Sequence, residues 1–193
     1  MLKVLGLITA FILLIFTIKP KNNEIQYKQK NIGKPYDSVP LLLRNAAYNI
    51  IKPDNNIIKI TDNLYISDYY ESIKYDELKN LGIKQILSIG KELPEHNTNE
   101  FKLKHIKIDD SSDVNIMQYF EDAHNFIDQG STLVHCYAGI SRSASIIISY
   151  LMKQGMTYEE AYNYVKERRP IINPNRGFKK QLMKYELYLK SNN

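Results

Sequence analysis

The sequence has one cysteine, Cys136, and no tryptophan in 193 residues. A lone thiol cannot close an intrachain disulfide, which excludes a disulfide-stapled secreted scaffold. The missing tryptophan decides nothing about function. Internal repeats are absent as well. No grouping of cysteine, histidine and carboxylates suggests a metal site, so neither a metal nor another cofactor is expected. Excess charge is missing from most of the chain too. The formal net charge is +5, but Lys3, Lys19, Lys21, Lys28, Lys30 and Lys34 face only Glu24 within residues 1–34, and beyond them basic and acidic residues balance. A nucleic-acid footprint needs a basic face on the folded part. None is expected here, and no nucleic-acid partner.

What is present divides into three stretches. Val4 to Ile18 runs without a charge, between Lys3 and Lys19-Pro20-Lys21. This is shorter than the roughly 20 residues of a membrane span, and it also has the form of the apolar core of a secretory signal. The exit Phe16-Thr17-Ile18-Lys19 offers no small-x-small cleavage site. Residues 1–18 therefore read as an uncleaved hydrophobic helix anchoring the chain to a membrane, with a cleaved signal and the secretory pathway as the alternative. Lysines crowd the C-terminal flank of the run, which by the positive-inside rule predicts a cytosolic location for everything after it. Residues 19–54 read as a lysine-rich linker followed by a short amphipathic helix on Leu43, Ala46, Ala47, Ile50 and Ile51.

From residue 55 to about 190 the pattern is that of an α/β domain. Ile57 to Ile66 reads as two short strands about a turn at Thr61-Asp62-Asn63. A helix is expected over 69–82 with Gly82 as its stop, and strands over Lys84–Ile89 and Leu103–Ile108. Asn115 is placed to cap a helix whose Ile116, Phe120, Ala123 and Ile127 share a face. Thr132 to His135 is a short apolar strand. Ser141 is placed to cap a helix ending at Gln154, with Gly155 just past it. Thr157-x-x-Glu160 reads as a capping box for a helix ending before Pro170. Asn175 starts a last helix striped by Phe178, Leu182, Tyr185 and Leu189. Strands alternating with helices predict a single sheet flanked by helices.

Chemistry concentrates in His135-Cys136-Tyr137-Ala138-Gly139-Ile140-Ser141-Arg142-Ser143. A buried strand delivers Cys136 into a tight loop, Tyr137 to Ser141, which runs into the start of a helix. Backbone N–H groups and the helix dipole make such a loop an anion cradle. That field favours a thiolate, which is the nucleophilic form of cysteine. Arg142 lies in the first helical turn, and its planar fork suits two phosphate oxygens at once. A structural turn that happens to contain both residues is the competing reading.

The stretch His-Cys-x-x-Gly-x-x-Arg-Ser resembles the signature of the protein tyrosine phosphatase superfamily. Ala138 to Ala144 is most similar to the loop of dual-specificity phosphatases, above all the catalytic domains of MAP kinase phosphatases. Ile108-Asp109-Asp110, followed by Asn115-Ile116 and Tyr119-Phe120, resembles that family's general-acid loop, and Asp110 falls on the acid. Arg169-Pro170 and Pro174-Asn175-x-Gly177-Phe178-x-x-Gln181-Leu182 resembles its C-terminal signature, in which the Asn supports the phosphate loop. The resemblance covers roughly residues 56–190 and implies a cysteine-phosphatase fold. It implies that Cys136 is the nucleophile, Arg142 the phosphate clamp and Asp110 the general acid. Ser143 then bonds the thiolate, while His135 and Asn175 support the loop. Phosphoproteins are the implied substrates. A lipid or other non-protein phosphate is the runner-up, and a non-catalytic phosphate-binding module the reading from another class. Residues 137, 138, 140 and 141 carry no charge, which suits a phosphoprotein side chain better than a highly anionic lipid headgroup.

Overall fold

The computed structural model describes residues 56–192. The expected anchor over 1–18 and the linker and short helix over 19–54 lie outside them. Among the described residues no helix is long and apolar enough to cross a membrane.

Five strands form one mixed sheet in the order β1-β2-β5-β3-β4. They are β1 (Ile58–Thr61), β2 (Leu64–Ser67), β3 (Gln85–Ile89), β4 (Lys102–Ile106) and β5 (Thr132–His135). The turn at Thr61-Asp62-Asn63 makes β1 antiparallel to β2, as its residues predict, and the other three pairings are parallel. Strand side chains alternate between two faces, and here both faces are buried. Leu64, Ile66, Leu87, Ile89 and Val134 enter the main core, whereas Tyr65, Ile86 and Leu133 join Leu78, Ile83 and Phe101 in a smaller one behind the sheet.

Helices cover both faces. Those after β2 are α1 (Tyr69–Ser72) and α2 (Tyr75–Asn80); then follow α3 (Phe120–Ile127), α4 (Arg142–Lys153), α5 (Tyr158–Arg168) and α6 (Arg176–Asn192). Ile146, Ile147, Ile148, Leu151 and Met152 of α4 are at most 3 % exposed. Burial of an aliphatic side chain stabilises the fold by about 2 kcal/mol, so α4 is the helix the core is built on. Two of its buried serines donate within the helix turn: Ser145 Oγ to the Ser141 carbonyl at 2.8 Å and Ser149 Oγ to that of Ile146 at 2.8 Å.

Several expectations about element ends need correction. The single helix over 69–82 is two short ones, because Asp68 caps α1 through Glu71 N–H and the chain turns at Ile73-Lys74 before α2 starts. Strand β4 ends at Ile106 rather than Ile108, where the chain leaves the sheet for the acid-bearing loop. Asn115 caps nothing: a 3₁₀ turn over Met117–Tyr119 precedes α3, and Ile116 holds the cap position without a side-chain bond. Ser141 stands at the cap of α4 but makes no capping bond. Its hydroxyl is committed elsewhere. Thr157 and Glu160 do form the capping box of α5, and Asn175 Oδ1 accepts from Phe178 N–H at 3.0 Å at the start of α6.

Candidate active site

The loop from Cys136 to Arg142 joins β5 to α4, and its shape is set by what holds its carbonyls. That of Tyr137 accepts from Tyr69 N–H at 3.1 Å, and that of Ile140 from Asn173 N–H at 2.9 Å. Between them, the buried Arg169 donates to the carbonyls of Ala138 (3.2 Å) and Gly139 (2.9 Å). In a trans peptide the N–H points opposite to the C=O. Four successive carbonyls pinned outward therefore turn the N–H groups of residues 138–141 towards the inside of the loop, which is the anion cradle the sequence pattern implies. Gly139 makes this possible. Its φ is +65°, and a Cβ there would lie 2.5 Å from the Ser67 carbonyl oxygen and 2.7 Å from Arg169 Nη2.

Cys136 sits at the start of the loop, 2 % exposed, and Ser143 Oγ donates to its sulfur at 3.3 Å. Arg142 is 1 % exposed. Its Nη1 and Nη2 donate to the two carboxylate oxygens of Glu92 at 2.7 and 2.6 Å, and Nη1 also reaches the Ile108 carbonyl at 3.3 Å. Burial opposes the guanidinium charge, but the bonds to Glu92, with Cys136 and Asp110 nearby, outweigh it and raise its pKa. In return Arg142 holds the Glu92 carboxyl below its usual range, against a desolvation that would raise it. Arg142 Nε is buried and lacks a protein partner. Gly90 leaves room for the pair, since a Cβ there would lie 2.7 Å from Arg142 Nη1.

The candidate acid lies against the same loop. Asp110 is 7 % exposed, and its Oδ1 accepts from Ser141 Oγ at 2.7 Å and from Asn175 Nδ2 at 2.8 Å. Ser141 Oγ in turn accepts from Asn175 N–H at 3.0 Å. This is why Ser141 does not cap its own helix, and why Asn175 both caps α6 and braces the loop. Asp109 and Asp113 are exposed. The acid loop is packed tightly on α6, for a Cβ at Gly177 would collide with the Ser112 carbonyl. His135, fully buried, faces the Cys136 carbonyl through Nδ1.

All the residues expected at the site thus gather around one loop. Four neighbours have roles that the sequence did not announce. Glu92 lies fifty positions before Arg142, in a connection without regular structure. Arg169 stands in the quoted C-terminal signature, yet nothing in its spacing says that it holds loop carbonyls. Ser88 and His96, which meet His135 Nε2 at 2.8 and 3.0 Å, are ordinary polar residues in sequence.

A mixed sheet whose central parallel strand delivers a cysteine into a pinned loop, closed by a helix that begins with arginine, defines the class of the protein tyrosine phosphatase superfamily. Within it, the family model described as "Dual specificity phosphatase, catalytic domain" matches residues 64–187, and the chain belongs to that family. A probable dual specificity protein phosphatase of Dictyostelium discoideum is 41 % identical over 143 residues, covering 72 % of this chain and 36 % of its own length. Dual specificity protein phosphatase 4 of Homo sapiens is 38 % identical over 135 residues, covering 67 % and 34 %. The chain thus spans about a third of the length of these curated relatives. Among solved structures, the human tyrosine phosphatase-like serine/threonine/tyrosine-interacting protein superposes with a TM-score of 0.65 at 36 % identity, over 69 % of this chain and 97 % of that one.

Proposed function

We propose that the protein hydrolyses phosphotyrosine and phosphoserine or phosphothreonine in proteins through a phosphocysteine intermediate. The convergence of Cys136, Arg142 and Asp110 on one pinned loop carries this reading. The phosphoryl group enters the cradle, where the inward N–H groups and Arg142 take its oxygens. Cys136 sulfur attacks phosphorus as the P–O bond to the side chain breaks. Asp110 gives its proton to the departing oxygen. A water then attacks phosphorus, passing its proton to Asp110, and the thiolate leaves with the Ser143 hydroxyl bonded to it. Phosphate is released, and no metal is required.

Turnover of a phosphotyrosine peptide, a phosphothreonine peptide and phosphoinositide vesicles by the full chain tests the substrate class. Activity on both peptides, well above that on lipid, is expected; lipid preference would move the function to the runner-up. Cys136→Ser should abolish turnover while retaining phosphopeptide binding, since an unactivated hydroxyl is a far poorer nucleophile in an intact cradle. Measurable steady-state turnover by that variant would overturn the mechanism. Peptide binding by the wild type without any turnover would favour a phosphate-binding module.

Residues 1–18 would anchor the chain to a membrane, with the catalytic domain in the cytosol. The lysines after the run support this reading, both through the orientation rule and through attraction to anionic lipid of about 1 kcal/mol each near the surface. A C-terminal tag should fractionate with membranes at full length and be digested by protease added outside intact vesicles. A shortened or protected tag would point to a cleaved signal.

A further inference from the structure

Two histidines lie ring to ring behind the phosphate loop, and only one belongs to the signature. His135 ends β5; His96 comes from the connection between β3 and β4. Their rings meet nearly edge to face at 84°, with centroids 5.2 Å apart, and their Nε2 atoms are 3.0 Å apart. At the far ends, His135 Nδ1 is 3.3 Å from the Cys136 carbonyl oxygen, and His96 Nδ1 is 3.0 Å from the Tyr75 hydroxyl.

Elementary chemistry places every hydrogen in this row. A carbonyl oxygen only accepts, so His135 carries its hydrogen on Nδ1. Burial, and then His96 beside it, push the His135 pKa down to about 3, so the ring is neutral and its Nε2 holds a lone pair. A bond between the two Nε2 atoms therefore needs the hydrogen on His96. That ring is also driven towards the neutral form, by burial first and then by His105, against a weaker pull from Glu95. With its hydrogen on Nε2, His96 has a bare Nδ1 that accepts from Tyr75. The bonds all run one way, from Tyr75 to His96, to His135, to the carbonyl of Cys136.

We propose that His96 is a positioning residue for the nucleophile: through the Nε2–H it donates to His135, it fixes that ring's tautomer and tilt, and so the Cys136 carbonyl from which the phosphate loop departs. Ser88 Oγ also donates to that lone pair, at 2.8 Å, but its hydroxyl turns freely about the Cβ–Oγ bond and leaves the tilt of the His135 ring open. The edge-to-face imidazole, oriented in turn by Tyr75, is what makes the row directional. The consequence reaches beyond one bond. A single connection, residues 90–101, then holds both ends of the phosphate signature, His135 through His96 and Arg142 through Glu92.

Nitrogen-15 NMR of the imidazoles of the full chain tests this directly, and with only 4 histidines each is assigned by its own substitution. His135 is expected as the Nδ1–H tautomer and His96 as the Nε2–H tautomer. His96→Leu should move the His135 resonances and lower kcat/KM on a phosphotyrosine peptide about tenfold, the yield of one lost buried hydrogen bond. His96→Gln, whose amide can still donate, should recover most of that loss. An Nδ1–H tautomer at His96 would overturn the proposal, as would unmoved His135 resonances in His96→Leu, or a Gln variant as impaired as the Leu one. The tautomers are read without any turnover, so failure of the proposed activity leaves this test intact.

Discussion

The phosphate loop and the β3–β4 connection meet through Arg142–Glu92 and His135–His96 and are written in opposite ways. Residues 135–143 carry their chemistry in their own order: a cysteine, a glycine where φ must be positive, an arginine at the first turn of a helix. Residues 90–101 have no such order and no regular structure. Yet they supply Glu92 to Arg142 and His96 to His135. A loop that performs chemistry needs fixed spacing along the chain, because its groups must converge on one phosphoryl group. A segment that only supports it needs to arrive at the right place in space, and many local sequences can do that.

The largest effect that would sharpen this contrast lies in the acid loop, whose Asp110 is read from the sequence register. Asp110→Asn should lower kcat on a phosphotyrosine peptide by roughly 10²–10⁴-fold, the usual yield of a positioned general acid. The loss should shrink for aryl phosphates whose leaving group needs no proton. Asp109→Asn should change little, since that carboxylate is exposed and it is Asp110 that bonds Ser141 and Asn175. The same leaving-group dependence at Asp109 instead would put the register off by one.

Next comes Glu92, which spacing does not reveal. Glu92→Gln removes the charge that aligns the buried Arg142, and the KM for a phosphopeptide should rise about tenfold, the scale of one charge-assisted bond, with kcat less affected. Glu92→Asp should recover part of the loss. A Gln variant with wild-type KM would show that Arg142 is held by the loop alone.

The smallest effect concerns pH and the core. His135 and His124 are buried and neutral, with pKa values pushed down by burial to about 3 and about 4. A depressed histidine pKa means that the unfolded chain binds protons first. Stability is therefore complete above the unfolded value of about 6.5 and falls as pH drops from there towards 4 and 3. The loss between pH 6.5 and 5 should be on the order of 2 kcal/mol for each histidine, seen as a lower urea midpoint. His124→Gln, with an amide in place of the ring that meets Ser149 Oγ at 2.9 Å, should reduce that slope while leaving the phosphate loop untouched. A slope unchanged by this substitution would place the pH sensitivity elsewhere.

Much of this protein could be read from the chain alone, and the physical reason is locality. Hydrophobic periodicity writes strands and helices over windows of four to twelve residues, so β2, β3, β5, α4 and α5 are legible, as is the capping box at Thr157. The phosphate loop is legible for the same reason. Ends of elements are less so: the turn at Ile73-Lys74 and the 3₁₀ turn before α3 depend on what each segment packs against. Tertiary structure alone decided the commitments that span the chain. Ser141 gives its hydroxyl to Asp110 instead of capping its own helix, Arg169 donates to loop carbonyls thirty positions earlier, and Glu92 closes on Arg142 from the far side. A hydrogen bond formed across the sheet leaves no period behind it in the sequence; it exists only because β5 lies between β2 and β3 and brings those residues within reach.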